Sequence, residues 1–152
     1  MPGLPDGEIW RVATIDDLYI AGTRLRLREL SYEGETFYKF TQKIPNPEGG
    51  PGFITTLYVN AEEHRLLATL PGDRLRKTRY SIPPMGFDVF AGELSGLFLG
   101  EMEFTSEDEM AAFPAPAGAV AEVTLDDRFT GGRLVRTTQA ELAQLLRAMG
   151  IA

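Results

Sequence analysis

The chain lacks cysteine altogether, and that absence removes disulfide scaffolds, iron–sulfur clusters, thiolate zinc sites and cysteine nucleophiles. Histidine is almost as scarce. His64 stands alone, so no HExxH zinc site and no three-histidine site can form, and a Ser-His-Asp triad would hang on one residue. No apolar run approaches the ~20 residues of a membrane span, and no basic-then-apolar signal opens the chain. The expectation is a cytoplasmic protein. Positive charge is also short: 15 Lys and Arg face 22 Asp and Glu, a net charge of −7. That balance speaks against generic binding to nucleic acid or to an acidic membrane. At 152 residues the chain is long enough for one domain that folds without a structural metal.

Seven of the 15 cations are grouped. Arg24, Arg26 and Arg28, then Lys39, then Arg76, Lys77 and Arg79 fall in three short stretches. Around them the chain reads mostly as strand. Trp10 to Ile20, Arg24 to Arg28, Thr36 to Ile44, Phe53 to Val59, Arg74 to Ile82, Phe87 to Phe90, Leu97 to Thr105 and Ala119 to Thr124 carry alternating or β-branched character. Pro45 to Gly52 is a loop by composition. Three helices carry start signals: Asn60 with Glu63, Ser106 with Glu109, and Thr138 with Glu141. There is no repeat, no low-complexity tract and no interdomain linker, so residues 1–152 read as a single domain.

Side chains alternate across a strand. Arg24, Arg26 and Arg28 therefore point together, with Leu25 and Leu27 opposite; Lys39, Thr41 and Lys43 share a face, as do Leu75, Lys77 and Arg79. Glu101 and Glu103 align, Asp88 stands between Phe87 and Val89, and Glu122 between Ala121 and Val123. Two arrangements explain such faces. A half-buried sheet would turn its polar face to water. A sheet that closes would line a tunnel with the charges, and a polyphosphate with divalent cations would then answer both signs, because guanidinium forks grip phosphate oxygens and carboxylates hold magnesium.

Several segments, in order, resemble the CYTH superfamily, the triphosphate tunnel metalloenzymes, which includes class IV adenylate cyclases, thiamine triphosphatases and inorganic triphosphatases. The matching pieces are Thr23 to Arg28, Tyr38-Lys39, Leu75 to Tyr80, Phe87 to Phe90, Gly96-Leu97, Glu101 to Phe104 and Glu122 to Phe129. The resemblance implies an α+β, mainly antiparallel fold: an eight-stranded, or incomplete seven-stranded, tunnel-like β-barrel with helices packed outside. It implies phosphate-binding roles for Arg24, Arg26, Arg28, Lys39, Lys77 and Arg79, and metal-binding roles for Asp88, Glu101, Glu103 and Glu122. Magnesium or manganese is the implied cofactor, and a small polyphosphate or nucleotide the implied partner.

The chain departs from the family on its first strand, where an ExExK motif supplies two carboxylates and a lysine. Here Met1 to Trp10 holds only the lone acid Glu8, so the first family strand is absent or degenerate. The strand before the first helix reads Thr55-Thr56-Leu57-Tyr58, where many members carry acids. A triphosphate needs metal to position water and offset developing charge. The expectation is a tunnel that binds a polyphosphate anion with weak or no catalysis; a metal-dependent triphosphatase or cyclase, and a non-binding relic, are the alternatives. Coding sequence upstream of Met1, residues 8–14, or a homodimer through an exposed barrel edge would cover the gap. His64 is expected to be a solvated surface residue, Trp10 a packing residue and Asp126-Asp127 a turn or cap.

Overall fold

The computed structural model describes Leu4, residues 6–48 and residues 52–151; the first residues of the expected N-terminal loop and part of the 45–52 loop lie outside the described residues. Seven strands form one antiparallel sheet: β1 (Arg11–Ile20), β2 (Leu25–Tyr32), β3 (Glu35–Ile44), β4 (Phe53–Val59), β5 (Gly72–Ile82), β6 (Met85–Phe90) and β7 (Phe98–Glu101). Their lateral order is β4-β3-β2-β1-β5-β6-β7, which makes β1 the centre and β4 and β7 the edges. This is the incomplete form of the expected architecture. The sheet curls without closing.

Turn chemistry sets the register that matters. Between β2 and β3 the chain reverses over Glu33 and Gly34, both at positive φ (52° and 83°), with Tyr32 paired to Glu35. Two consecutive left-handed residues are the signature of the two-residue hairpin turn whose twist suits the flanking strands. That turn places Arg28 opposite Lys39 and Arg26 opposite Thr41.

Helix α1 (Ala61–Leu67) begins at the expected capping box, with Asn60 and Glu63 each accepting the other's backbone N–H. It packs on the outer face, where Leu67 and Ala68 cover Leu18, Ile20 and Leu27. Fully burying Leu27 contributes about 1.5–3 kcal/mol. The later elements, α2 (Glu107–Ala112), α3 (Gly131–Leu134) and α4 (Gln139–Ala148), follow the sheet. A second core joins Leu75 and Phe90 of the inner face to Leu94, Leu97, Phe129, Leu134 and Leu142, with Tyr19 packed against it. A Cβ at residue 131 would collide with the Tyr19 hydroxyl, so glycine there lets α3 press onto the sheet. The C-terminal part thereby covers one end of the inner face.

Several expectations change. β7 ends at Glu101, short of Thr105, and no strand forms over Ala119 to Thr124. Prolines at 114 and 116 and a positive φ of 81° at Gly118 bend the approach, and turns close at Ala119 and Asp126 by bonds to Pro116 and Val123. Without a neighbouring ladder, a strand there would leave its backbone groups unpaired. Val120 and Leu125 consequently stand exposed. Trp10 is 69% exposed rather than packed. His64 is the reverse: Tyr38 stacks on it at 4.4 Å and Glu29 lies 3.9 Å from Nδ1, so it is packed on the sheet rather than solvated. Asp126 caps a 3₁₀ turn through the N–H of Arg128, as its sequence suggests. Among the described residues no helix is long and apolar enough to cross a membrane.

Candidate anion-binding face

Register and alternation together decide which side chains meet. β1 pairs Asp17 with Arg28 and Tyr19 with Arg26; β5 pairs Ile15 with Lys77 and Ala13 with Arg79; β6 pairs Lys77 with Phe90 and Arg79 with Asp88. On the other side Arg28 pairs with Lys39, and Lys43 lies two residues beyond Thr41, the partner of Arg26. Glu101 of β7 pairs with Gly86, two residues before Asp88. Arg26, Arg28, Lys39, Lys43, Lys77, Arg79, Asp17, Asp88 and Glu101 therefore share the inner face.

Two carboxylates on that face are completely buried, Asp17 and Asp88. Asp17 accepts a bidentate pair from Arg28, Nε to Oδ1 and Nη2 to Oδ2, both at 2.7 Å. Asp88 accepts the same fork from Arg79 at 2.7 Å on each oxygen, and Lys77 donates to Oδ2 as well. Arg79 also donates to Glu101. Buried ions demand this pairing, since each costs several kcal/mol to desolvate. Burial pushes the Asp88 carboxyl up, but the Arg79 hydrogen bonds and the Lys77 charge prevail and hold it below its ordinary value.

The rest of the face is less satisfied. Arg26 Nε is buried without a hydrogen-bond partner, and the nearest carboxylate oxygen, Asp17 Oδ1, is 3.9 Å away. Lys43 is an exposed residue near the end of β3, and its ammonium is nevertheless drawn below its usual pKa by partial desolvation first and then by Arg26, with Arg28 and Lys77 adding and Glu101 opposing. Charges from β2, β5 and β7 act on one ammonium from β3. Strands far apart in lateral order thus converge, as a curled, tunnel-like sheet requires. Lys39 sits with its ammonium 5.2 Å from the Tyr58 ring centre.

The remaining candidates fall elsewhere. Arg24 precedes β2 and is exposed. Glu103 lies beyond the end of β7, also exposed. Glu122 lines an open recess with Thr124, Leu125, Asp126 and Asp127, none of them a cation of the inner face. Among the described residues no three of His, Asp and Glu are placed to hold a metal ion. Both Asp88 oxygens are committed to Lys77 and Arg79, and one oxygen of the half-exposed Glu101 to Arg79. The donor set present does not fit magnesium or manganese as a protein cage, which would need free oxygens in near-octahedral array.

No family model matches the chain. It is 37% identical over 133 residues to a protein of Nitrosomonas europaea named "Inorganic triphosphatase", covering 82% of this chain and 85% of that one. The chain belongs to the CYTH, or triphosphate tunnel, superfamily. Solved structures agree. The fold superimposes on the crystal structure of the inorganic triphosphatase NE1496 with a TM-score of 0.56, 31% identity, and coverage of 87% of this chain and 90% of that one. A crystal structure of "the hypothetical protein NE1496" matches with a TM-score of 0.58 at 30% identity, covering 89% and 92% of the two chains.

In this CYTH chain, sequence reasoning passed over two residues of the face. Lys43 lay in view, at alternation from Lys39, but outside the matching motifs. Asp17 sits in an Asp-Asp pair of the expected first strand; only its register against Arg28 shows one acid turned inward and the other, Asp16, outward to Arg74 and Arg76.

Proposed function

We propose that this CYTH-family chain binds a linear polyphosphate, either tripolyphosphate or the triphosphate of a nucleotide, on its cation-lined inner face, and hydrolyses it far more slowly than ordinary enzymes do. The observation that carries the reading is Arg26: a buried guanidinium Nε with no hydrogen-bond partner, on a half of the face whose buried carboxylate is Asp17. Burying an unanswered donor is costly, and a phosphate oxygen is the acceptor that would answer it in charge and shape. The name of the Nitrosomonas relative supports the same ligand class. The net charge of −7 sets the face apart from a nucleic-acid surface, which needs basic excess over a wider area.

Calorimetric titration with tripolyphosphate and with ATP, each with and without magnesium or manganese, tests it. Saturable heat that Arg26→Ala removes, and that the exposed control Arg147→Ala keeps, is expected. No heat and no thermal shift with either anion defeats the reading. The relative's name favours a second reading, a metal-dependent triphosphatase, for which phosphate release at ~1–10³ per second would decide. In that case Glu101→Gln should abolish it. As for partners, edge strand β4 exposes Phe53, Ile54, Leu57 and Tyr58, which supports edge-to-edge pairing in a homodimer. Sedimentation of the purified protein checks that arrangement.

A further inference from the structure

Asp17 is an expensive residue for its position. It lies in the middle of the central strand, fully buried, and the other inward residues of that strand are small, apolar or aromatic, Ala13, Ile15 and Tyr19, while the cations come from the neighbouring strands. An apolar side chain there would avoid desolvating a charge, and replacing a buried ion pair by apolar residues is often neutral or stabilising. Packing alone therefore does not account for a carboxylate. What the carboxylate does is geometric. Both oxygens are spent on one guanidinium, at 2.7 Å each, which fixes the plane of Arg28 as well as its position. The fork uses the Nε–Nη2 edge. It leaves Nη1 unengaged by Asp17.

Arg26 stands on the same strand face, with its Nε 3.9 Å from the same Oδ1. That distance is too long for a hydrogen bond and short enough for attraction between unlike charges. Asp17 thus keeps Arg26 beside Arg28 without using up its donor. The other buried acid behaves differently: Asp88 is shared between Lys77 and Arg79, and Arg79 is held again by Glu101, so that cluster closes on itself.

We propose that Asp17 is a positioning residue for polyphosphate binding: it does not touch the anion, but holds Arg28 and Arg26 in the orientation that receives it. This rests on the polyphosphate reading above. Side chains already held lose less freedom when a ligand arrives, which is the general source of affinity from preorganisation.

Asp17→Asn tests the idea because the two physical expectations have opposite sign. Charge alone makes the face more positive, and tripolyphosphate would bind more tightly. Loss of the fork leaves Arg28 to be ordered on binding, and the expected result is about tenfold weaker binding. Calorimetry with tripolyphosphate reads the sign, and melting temperature is recorded alongside as the measure of structure. Arg28→Lys keeps the charge and loses the fork, so it too should weaken binding about tenfold; this variant carries the test should Asp17→Asn fail to fold. Asp17→Asn placed on Arg28→Lys should then add less than about twofold, because one acts through the other. In the free protein, the Arg28 Nε–H proton should exchange slowly and should lose that protection in Asp17→Asn. Unchanged or tighter binding by Asp17→Asn, or unchanged binding by Arg28→Lys, overturns the proposal while leaving the polyphosphate reading standing. Absence of binding by the unaltered protein overturns both.

Discussion

The inner face has two halves built from the same residue types in different balance. On the β5–β6–β7 side, Lys77 and Arg79 are answered by Asp88 and Glu101. On the β2–β3 side, Arg26, Arg28, Lys39 and Lys43 have only Asp17 among the carboxylates of the face. The first half is an internal ion cluster whose charges need nothing more. The second carries more cations than the buried carboxylate of Asp17 can answer, and that excess is what an anion would meet. A count of cations along the sequence cannot separate these halves. The pairing register can, because it determines which acids reach which bases.

If that division is right, the two halves should fail differently when broken. Asp88→Ala removes the acid that Lys77 and Arg79 share, leaving Lys77, only 9% exposed at its side chain, unanswered and Arg79 with Glu101 alone. Breaking a buried pair in this way costs about 3–5 kcal/mol. For a domain of this size that lowers the melting temperature by roughly 10 °C, measurable by calorimetry or urea unfolding. Arg26→Ala should do the opposite to the balance. It deletes an Nε with no hydrogen-bond partner together with a contact to Tyr19 and a weak attraction to Asp17, so stability is expected to stay within about 1 kcal/mol of the unaltered protein. Equal losses from the two variants would erase the distinction.

Binding should then rank in the reverse order. Arg26→Ala removes a half-buried cation from the less-answered half, and hydrogen bonds to charged groups contribute about 1.5–3 kcal/mol. Tripolyphosphate affinity should fall about tenfold to a hundredfold. Arg24→Ala should cost less than about threefold, because Arg24 lies before β2 in solvent, where charge acts through screened attraction alone. Titrations at two salt concentrations would show the difference: the small Arg24 effect should vanish at high salt and the Arg26 effect persist.

Much of this was legible beforehand, for identifiable reasons. Arg26 and Arg28 are named by strict alternation over Arg24 to Arg28, and α1 and α4 by capping boxes at Asn60 and Thr138, since both signals are local. Lys77 and Arg79 share a face by the same alternation, whereas Asp88 joins them through the family resemblance and the β5–β6 register. What escaped depends on partners distant in sequence. Glu122 was read onto a strand by its residue types, yet a strand exists only where a neighbour pairs with it, and none pairs with residues 119–124. Asp17 escaped for the same reason in reverse: nothing in Asp16-Asp17 says which acid turns inward until β1 is laid against β2. Arg24 lost its place because the strand begins one residue after it, a boundary that alternation does not fix.

The finest test of the comparison is protonic, and it concerns Lys43. Its ammonium sits below the ordinary value of 10.5, by partial desolvation first and then by Arg26, with Glu101 opposing. A depressed pKa means that folding favours the neutral amine. The contribution to stability is therefore fully present above 10.5 and is lost as pH falls through the folded-state value, so at neutral pH the charged Lys43 burdens the fold. An anion bound beside it reverses the sign, because negative charge favours the ammonium and raises the pKa again. Binding should then draw up protons in the alkaline window between the free and bound values. Well below that window the amine is charged in both states, and well above it is neutral in both, so no proton moves at either extreme. Calorimetry of tripolyphosphate binding in buffers of different ionisation enthalpy measures this directly. At neutral pH the heats should agree between buffers, and in the alkaline window they should diverge by a fraction of a proton. Lys43→Met should remove the divergence. A divergence that survives in that variant would assign the proton to another group and take Lys43 out of the anion's reach.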